Sequence, residues 1–198
     1  MNSLSHRSAQ RRLATFTVAM ILPLVMTGCS EDVNSKDAND ASNARSTGSP
    51  EPTTLAVDKA RAKADHLSSQ ILDMIGIKEG KVAGGGAGVA LCDKDPDHLY
   101  RMDHPWSIYD VTPDKLKAGF QRLREALPKN GWKIVDYGPD TSANKNLELT
   151  ADSRTEPFSV NASLHITGPS GEKEPLLAVT VVSGCYRAPE GTDLSKEY

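Results

Sequence analysis

The chain has 198 residues, 38% of them apolar, 5% aromatic and 25% charged, with a formal net charge of −3. That length suits one domain of ordinary size with appendages. The acidic balance excludes the basic face that nucleic-acid binding requires and the polybasic patch that draws a protein to anionic lipid.

Residues 1–12 are polar and carry Arg7, Arg11 and Arg12 without an acid. Residues 13–26 form an uncharged apolar run of 14. That is the length of a signal-peptide core and falls short of the roughly 20 residues a spanning helix needs. Pro23 breaks the helix near its end and leaves extended chain for a protease. Met26-Thr27-Gly28-Cys29 follows and resembles the bacterial lipobox, in which a cysteine follows small residues at the end of the signal core. The resemblance covers these four residues and the three-part signal before them. It implies that Cys29 receives a thioether-linked diacylglycerol and that a lipoprotein signal peptidase then cuts between Gly28 and Cys29. The mature protein is thus expected to be lipid-anchored at the extracytoplasmic face of the cell membrane. Two acyl chains give stable anchoring where one gives only marginal binding. Without residues 1–28 the chain keeps 20 basic and 26 acidic side chains, a balance of −6.

Residues 30–53 are rich in Ser, Asn, Asp and Ala and show no hydrophobic period. Such a composition cannot bury enough to offset its ordering entropy. With the lipidated Cys29 it is expected to form a disordered tether over 29–53. A chain of that length spans about 25–30 Å r.m.s..

The folded domain is expected over 54–188, with a flexible tail at 189–198. Val57, Ala60, Ala64, Leu67, Ile71, Met74 and Ile75 recur at helical spacing and predict a helix over 55–75. Thr53 or Thr54 is the expected cap, and Gly76 the left-handed residue that ends the helix. A strand over 87–92 follows the Gly84-Gly85-Gly86 run. Thr112, Pro113 and Asp114 open a second helix over 113–127, with Leu116, Phe120, Leu123 and Leu127 on its apolar face. Further strands are expected at 132–137, 146–151, 158–166 and 176–183. The run from Phe158 to Ile166 alternates apolar and polar, so one face is buried and one is wet. The run 176–183 is apolar on both faces, as a central strand would be. Gly138-Pro139-Asp140, Ser153-Arg154 and Gly168-Pro169-Ser170-Gly171 mark turns. The order α-β-α-β-β-β-β predicts an α+β two-layer sandwich: a mainly antiparallel sheet of about five strands with two helices on one face.

Of three cysteines, Cys29 is assigned to lipid. Cys92 and Cys185 stand at strand ends and read as a disulfide in an exported chain. No C-x-x-C pair suggests a metal site, and a paired sulfur is not a nucleophile.

The stretch 93–111 is read as the most suggestive loop. Asp93, Asp95 and Asp97 alternate as the first ligands of a calcium loop do. Pro96 stiffens the turn, His98 replaces the needed glycine and His104 the closing glutamate, so the bland reading is a solvated acidic turn. His98 and His104, with Asp97 and Asp103, would be the raw material of a zinc or acid–base site, although their spacing matches no ligand motif. Tyr100, Trp106 and Tyr109 are partner-binding candidates, since Trp and Tyr are enriched in binding hot spots; the alternative is that they close the end of the sheet. The glycine run precedes a strand, whereas a phosphate loop follows one and opens a helix. No motif implies a catalytic residue or a cofactor. These readings favour a lipid-anchored envelope protein whose non-enzymatic domain binds a protein or cell-wall partner. A hydrolase or metal-dependent enzyme using 93–111 and a structural or inhibitory envelope protein are the rivals.

Overall fold

The computed structural model describes residues 51–166 and 174–197. The expected signal segment, Cys29, the expected tether up to residue 50 and the expected turn at Gly168–Gly171 lie outside the described residues. Within them, two helices, α1 (Val57–Ile75) and α2 (Pro113–Ala126), accompany eight strands. The strands are β1 (Lys81–Gly84), β2 (Gly88–Leu91), β3 (Leu99–Tyr109), β4 (Trp132–Pro139), β5 (Leu147–Ser153), β6 (Phe158–His165), β7 (Leu176–Ser183) and β8 (Tyr186–Arg187). They form one antiparallel sheet in the order β1-β3-β7-β6-β5-β4, with β2 and β8 also paired to β3. The α+β class is as expected, but the sheet has eight strands rather than about five.

Both helices lie on one face. α1 packs against β3 and β7, α2 against β6 and β7, and the helices touch each other. α1 turns Ala60, Ala64, Ile71 and Ile75 inward, all fully buried, and α2 turns Leu116, Phe120 and Leu123. They meet Ile108, Val160, Leu177 and Val179 from the sheet. Gly76 caps α1 at φ 62°, its N–H donating to the Leu72 carbonyl at 3.1 Å. The expected threonine cap is absent. Ala56 holds that position, because Thr53 and Thr54 are drawn into a parallel bridge with Arg187 on β8.

The largest departure from expectation is 93–111. Only Asp93–His98 is a turn; Leu99–Tyr109 is β3, the longest strand. Tyr100, Met102, Trp106 and Ile108 are buried and alternate with Arg101, Asp103, Pro105, Ser107 and Tyr109, a two-residue period that Pro105 obscures. Proline donates no N–H, and strands tolerate it at bulges or at an edge. Here the Leu99 carbonyl accepts from Cys92 while Met102 N–H donates to Ser183 Oγ, so odd positions of β3 address β2 and even ones address β7 and β8. Pro105 therefore turns its missing donor toward the β1–β2 edge. That edge breaks there: Gly85, Gly86 and Ala87 stand opposite two residues, His104 and Pro105.

Cys92 and Cys185 form a disulfide, their Cα atoms 6.4 Å apart, tying the end of β2 to the β7–β8 connection across β3. Residues 189–197, expected as a flexible tail, instead carry a short 3-10 helix at Leu194–Lys196. Leu194 is buried in the core and Arg61 donates to the Glu197 carbonyl at 2.8 Å, so apolar burial anchors this end.

Candidate functional site

The broken edge of the sheet and α1 enclose a cleft of about 350 Å³. Gly84, Gly85 and Gly86 line it as a strap leading from β1 toward β2. Glycine is required at 84, where a Cβ would stand 2.7 Å from Trp106 Cβ and 2.9 Å from the Pro105 carbonyl oxygen. At Gly85 and Gly86 an added Cβ would meet nothing within 4 Å. Asp65 on α1 accepts from Ala87 N–H at 3.2 Å, and His104 Nε2 donates to the Gly85 carbonyl at 2.9 Å. These two side chains thus take up backbone groups that the broken ladder leaves without strand partners.

Three buried polar atoms of the lining residues remain without a hydrogen-bond partner among the described residues: Ser68 Oγ, Trp106 Nε1 and His104 Nδ1. His104 Nδ1 lies 3.3 Å from Asp65 Oδ1, near enough for electrostatic contact but misaligned as a hydrogen bond. Ser68 is only 4% exposed and Trp106 7%. Buried polar groups are satisfied in the great majority of cases, and leaving one unpaired costs about 1–3 kcal/mol. Three such groups on residues lining one cleft single it out as the candidate site. Leu72 and Val82 form its apolar walls, and Val82 is 57% exposed.

The residues singled out from sequence divide between separate places. Trp106 and His104 line this cleft. Tyr100 is fully buried and donates to the Leu55 carbonyl at 2.8 Å, so it pins the entry of the chain into the domain rather than contacting a partner. Burial pushes its phenol up to about 12. Tyr109 is half-buried, on the sheet face opposite the helices, with Lys81 Nζ 6.0 Å from its ring centroid. His98 is not brought to His104. It bonds Asp95 at 2.8 Å, and Arg187 bonds the other Asp95 oxygen at 3.2 Å. The His98 hydrogen bond, then that of Arg187, holds the Asp95 carboxyl below its ordinary value. Asp93 and Asp97 are exposed, and among the described residues no three His, Cys, Asp or Glu side chains converge as a metal site would require. A second cleft of about 530 Å³ adjoins His98, Arg187 and Glu190, but none of its lining side chains has a buried unpaired atom.

Asp65, Ser68 and Gly85 escaped the sequence reading. The available signal was a polar residue inside an apolar period: Ser68 between Ala64 and Ile71 on α1, and His104 between Met102 and Trp106 on β3.

No family model matches the sequence, and no curated protein matches it significantly. Among solved structures the chain is similar to the extracellular domain of PknH from Mycobacterium tuberculosis, at 10% identity, with 68% of this chain and 88% of that chain covered and a TM-score of 0.26. A likeness of that size supports no statement about activity or ligand.

Proposed function

We propose that this chain is a lipid-anchored extracytoplasmic protein whose domain binds a small ligand, or a projecting group of a larger envelope partner, in the cleft between α1 and the broken sheet edge. The observation that carries the binding reading is that Ser68, Trp106 and His104 all line one cleft and each holds a buried polar atom, Oγ, Nε1 and Nδ1, unpaired among the described residues. Pockets with apolar walls and a few convergent polar groups are the usual form of a ligand site. The same atoms speak against a serine hydrolase. A nucleophile needs a hydrogen-bonded base, yet among the described residues Ser68 Oγ has no hydrogen-bond partner and His104 Nε2 is occupied by the Gly85 carbonyl.

The address rests on the lipobox resemblance at Cys29 and is supported by the Cys92–Cys185 disulfide, since such bonds persist in oxidising compartments. No helix among the described residues is long and apolar enough to cross a membrane, so lipid on Cys29 is the proposed attachment. Expression of Cys29→Ser in the native host should leave the product unprocessed or released from the membrane fraction. Unchanged processing and membrane association would refute the anchor. For the cleft, an envelope ligand captured with the native protein should shift the Trp106 fluorescence or indole resonance. A ligand that leaves Trp106 unaffected would move the site elsewhere.

A further inference from the structure

We infer that the cleft recognises an uncharged acylamino group, the carbonyl and N–H unit carried by N-acetylated sugars and by blocked peptides. This rests on the binding reading above and specifies its ligand. Trp106 Nε1 can only donate, and the Ser68 hydroxyl can donate too; both are buried atoms of residues that line the same cleft. Their missing partner is an acceptor, which a carbonyl oxygen with two lone pairs supplies. Asp65 can only accept while ionised. Its Oδ1 holds the strap through Ala87, which leaves its second oxygen to receive a ligand N–H. Leu72 and the exposed Val82 offer apolar contact for a methyl or methylene next to the carbonyl.

Charge and size narrow the class further. Among the described residues no Lys or Arg lines the cleft, and Asp65 stands at it, so a carboxylate or phosphate would be desolvated beside a like charge. A pure hydrocarbon would leave Ser68 and Trp106 unpaired. A ligand bearing hydroxyls alone would cover Leu72 and Val82 with polar atoms. A volume of about 350 Å³ suits one sugar ring or a short peptide unit.

The chain has two tryptophans, Trp106 and Trp132, so the mature chain from residue 29 carrying Cys29→Ser gives two indole N–H resonances, assigned with Trp106→Phe. N-acetylglucosamine and N-acetylalanine methylamide are titrated, with glucose and glucosamine as controls lacking the group. The expected result is a saturable millimolar-range shift of the Trp106 indole by one or both acylamino probes, with Trp132 unmoved and the controls without effect. The stronger probe then names the source, sugar or peptide. Ser68→Ala should weaken that binding about tenfold. Glucose acting as strongly as its acetamido counterpart would overturn the inference while leaving the binding reading standing. No shift by any probe would overturn the inference too, and would withdraw support from the cleft itself.

Discussion

Ser68→Ala tests the unpaired-atom argument most directly. Ser68 occupies the inner face of α1 between Ala64 and Ile71, is 4% exposed, and its hydroxyl has no partner. In the unfolded chain that hydroxyl is hydrated, so folding strips it of water without compensation, at about 1–3 kcal/mol. Alanine is also the better helix former, by up to about 0.5 kcal/mol. Removing one buried oxygen leaves only a small void, so the cavity cost is small beside this gain. The variant should therefore be more stable than the wild type by about 1–2 kcal/mol, a rise of roughly 3–10 °C in Tm for a domain of this size. Differential scanning calorimetry or urea titration of the ligand-free protein reads this, with an unchanged m-value showing that the unfolded state is not the source. A destabilised variant would mean that the hydroxyl is already satisfied in the fold, and the cleft would lose one of its three orphaned atoms.

Reducing the Cys92–Cys185 bond, or replacing both cysteines by serine, should lower stability by up to about 4–5 kcal/mol, since the bond closes a loop of 93 residues; equal denaturation midpoints with and without reductant would refute this. Gly84→Ala should destabilise by about 2 kcal/mol and shift Trp106 fluorescence, because the new methyl collides with Trp106 and with rigid backbone at Pro105. An unperturbed spectrum and midpoint would show that the strap yields freely. Tyr100→Phe should cost about 1 kcal/mol near neutrality through the bond lost to Leu55. Burial favours the neutral phenol, so its folded value of about 12 exceeds the ordinary value near 10. The stabilisation is complete below pH 10 and lost as pH rises through 12, a difference of about 2–3 kcal/mol. The wild type should show this alkaline loss, and Tyr100→Phe should show a smaller one, to which Tyr186, raised by burial, and Lys81, raised by Asp110, still contribute. Identical alkaline slopes would refute the assignment.

Much of the architecture was legible because apolar spacing reports local geometry. The period of α1 stands out from Val57 to Ile75, and Phe158–Leu164 alternates cleanly enough to define β6. The doubly apolar run 176–183 does become β7, flanked by β3 and β6. β3 was hidden because Pro105 and its polar neighbours look like loop chemistry, and proline is tolerated there only because the facing edge breaks. β1 and β8 were missed because strands of four and two residues carry too little pattern to register.

By itself, then, the order of residues determined the helices, most of the strands, the α+β class and the Cys92–Cys185 pair, all consequences of short-range periodicity or of simple counting. Only the tertiary structure decided that residue 104 of β3 meets residue 65 of α1, that Gly85 offers its carbonyl to His104, and that Ser68 and Trp106 line one cleft. Periodicity tells a side chain which face it occupies. Which distant face it meets depends on strand order and on how the whole core packs, and no local window of sequence contains that information.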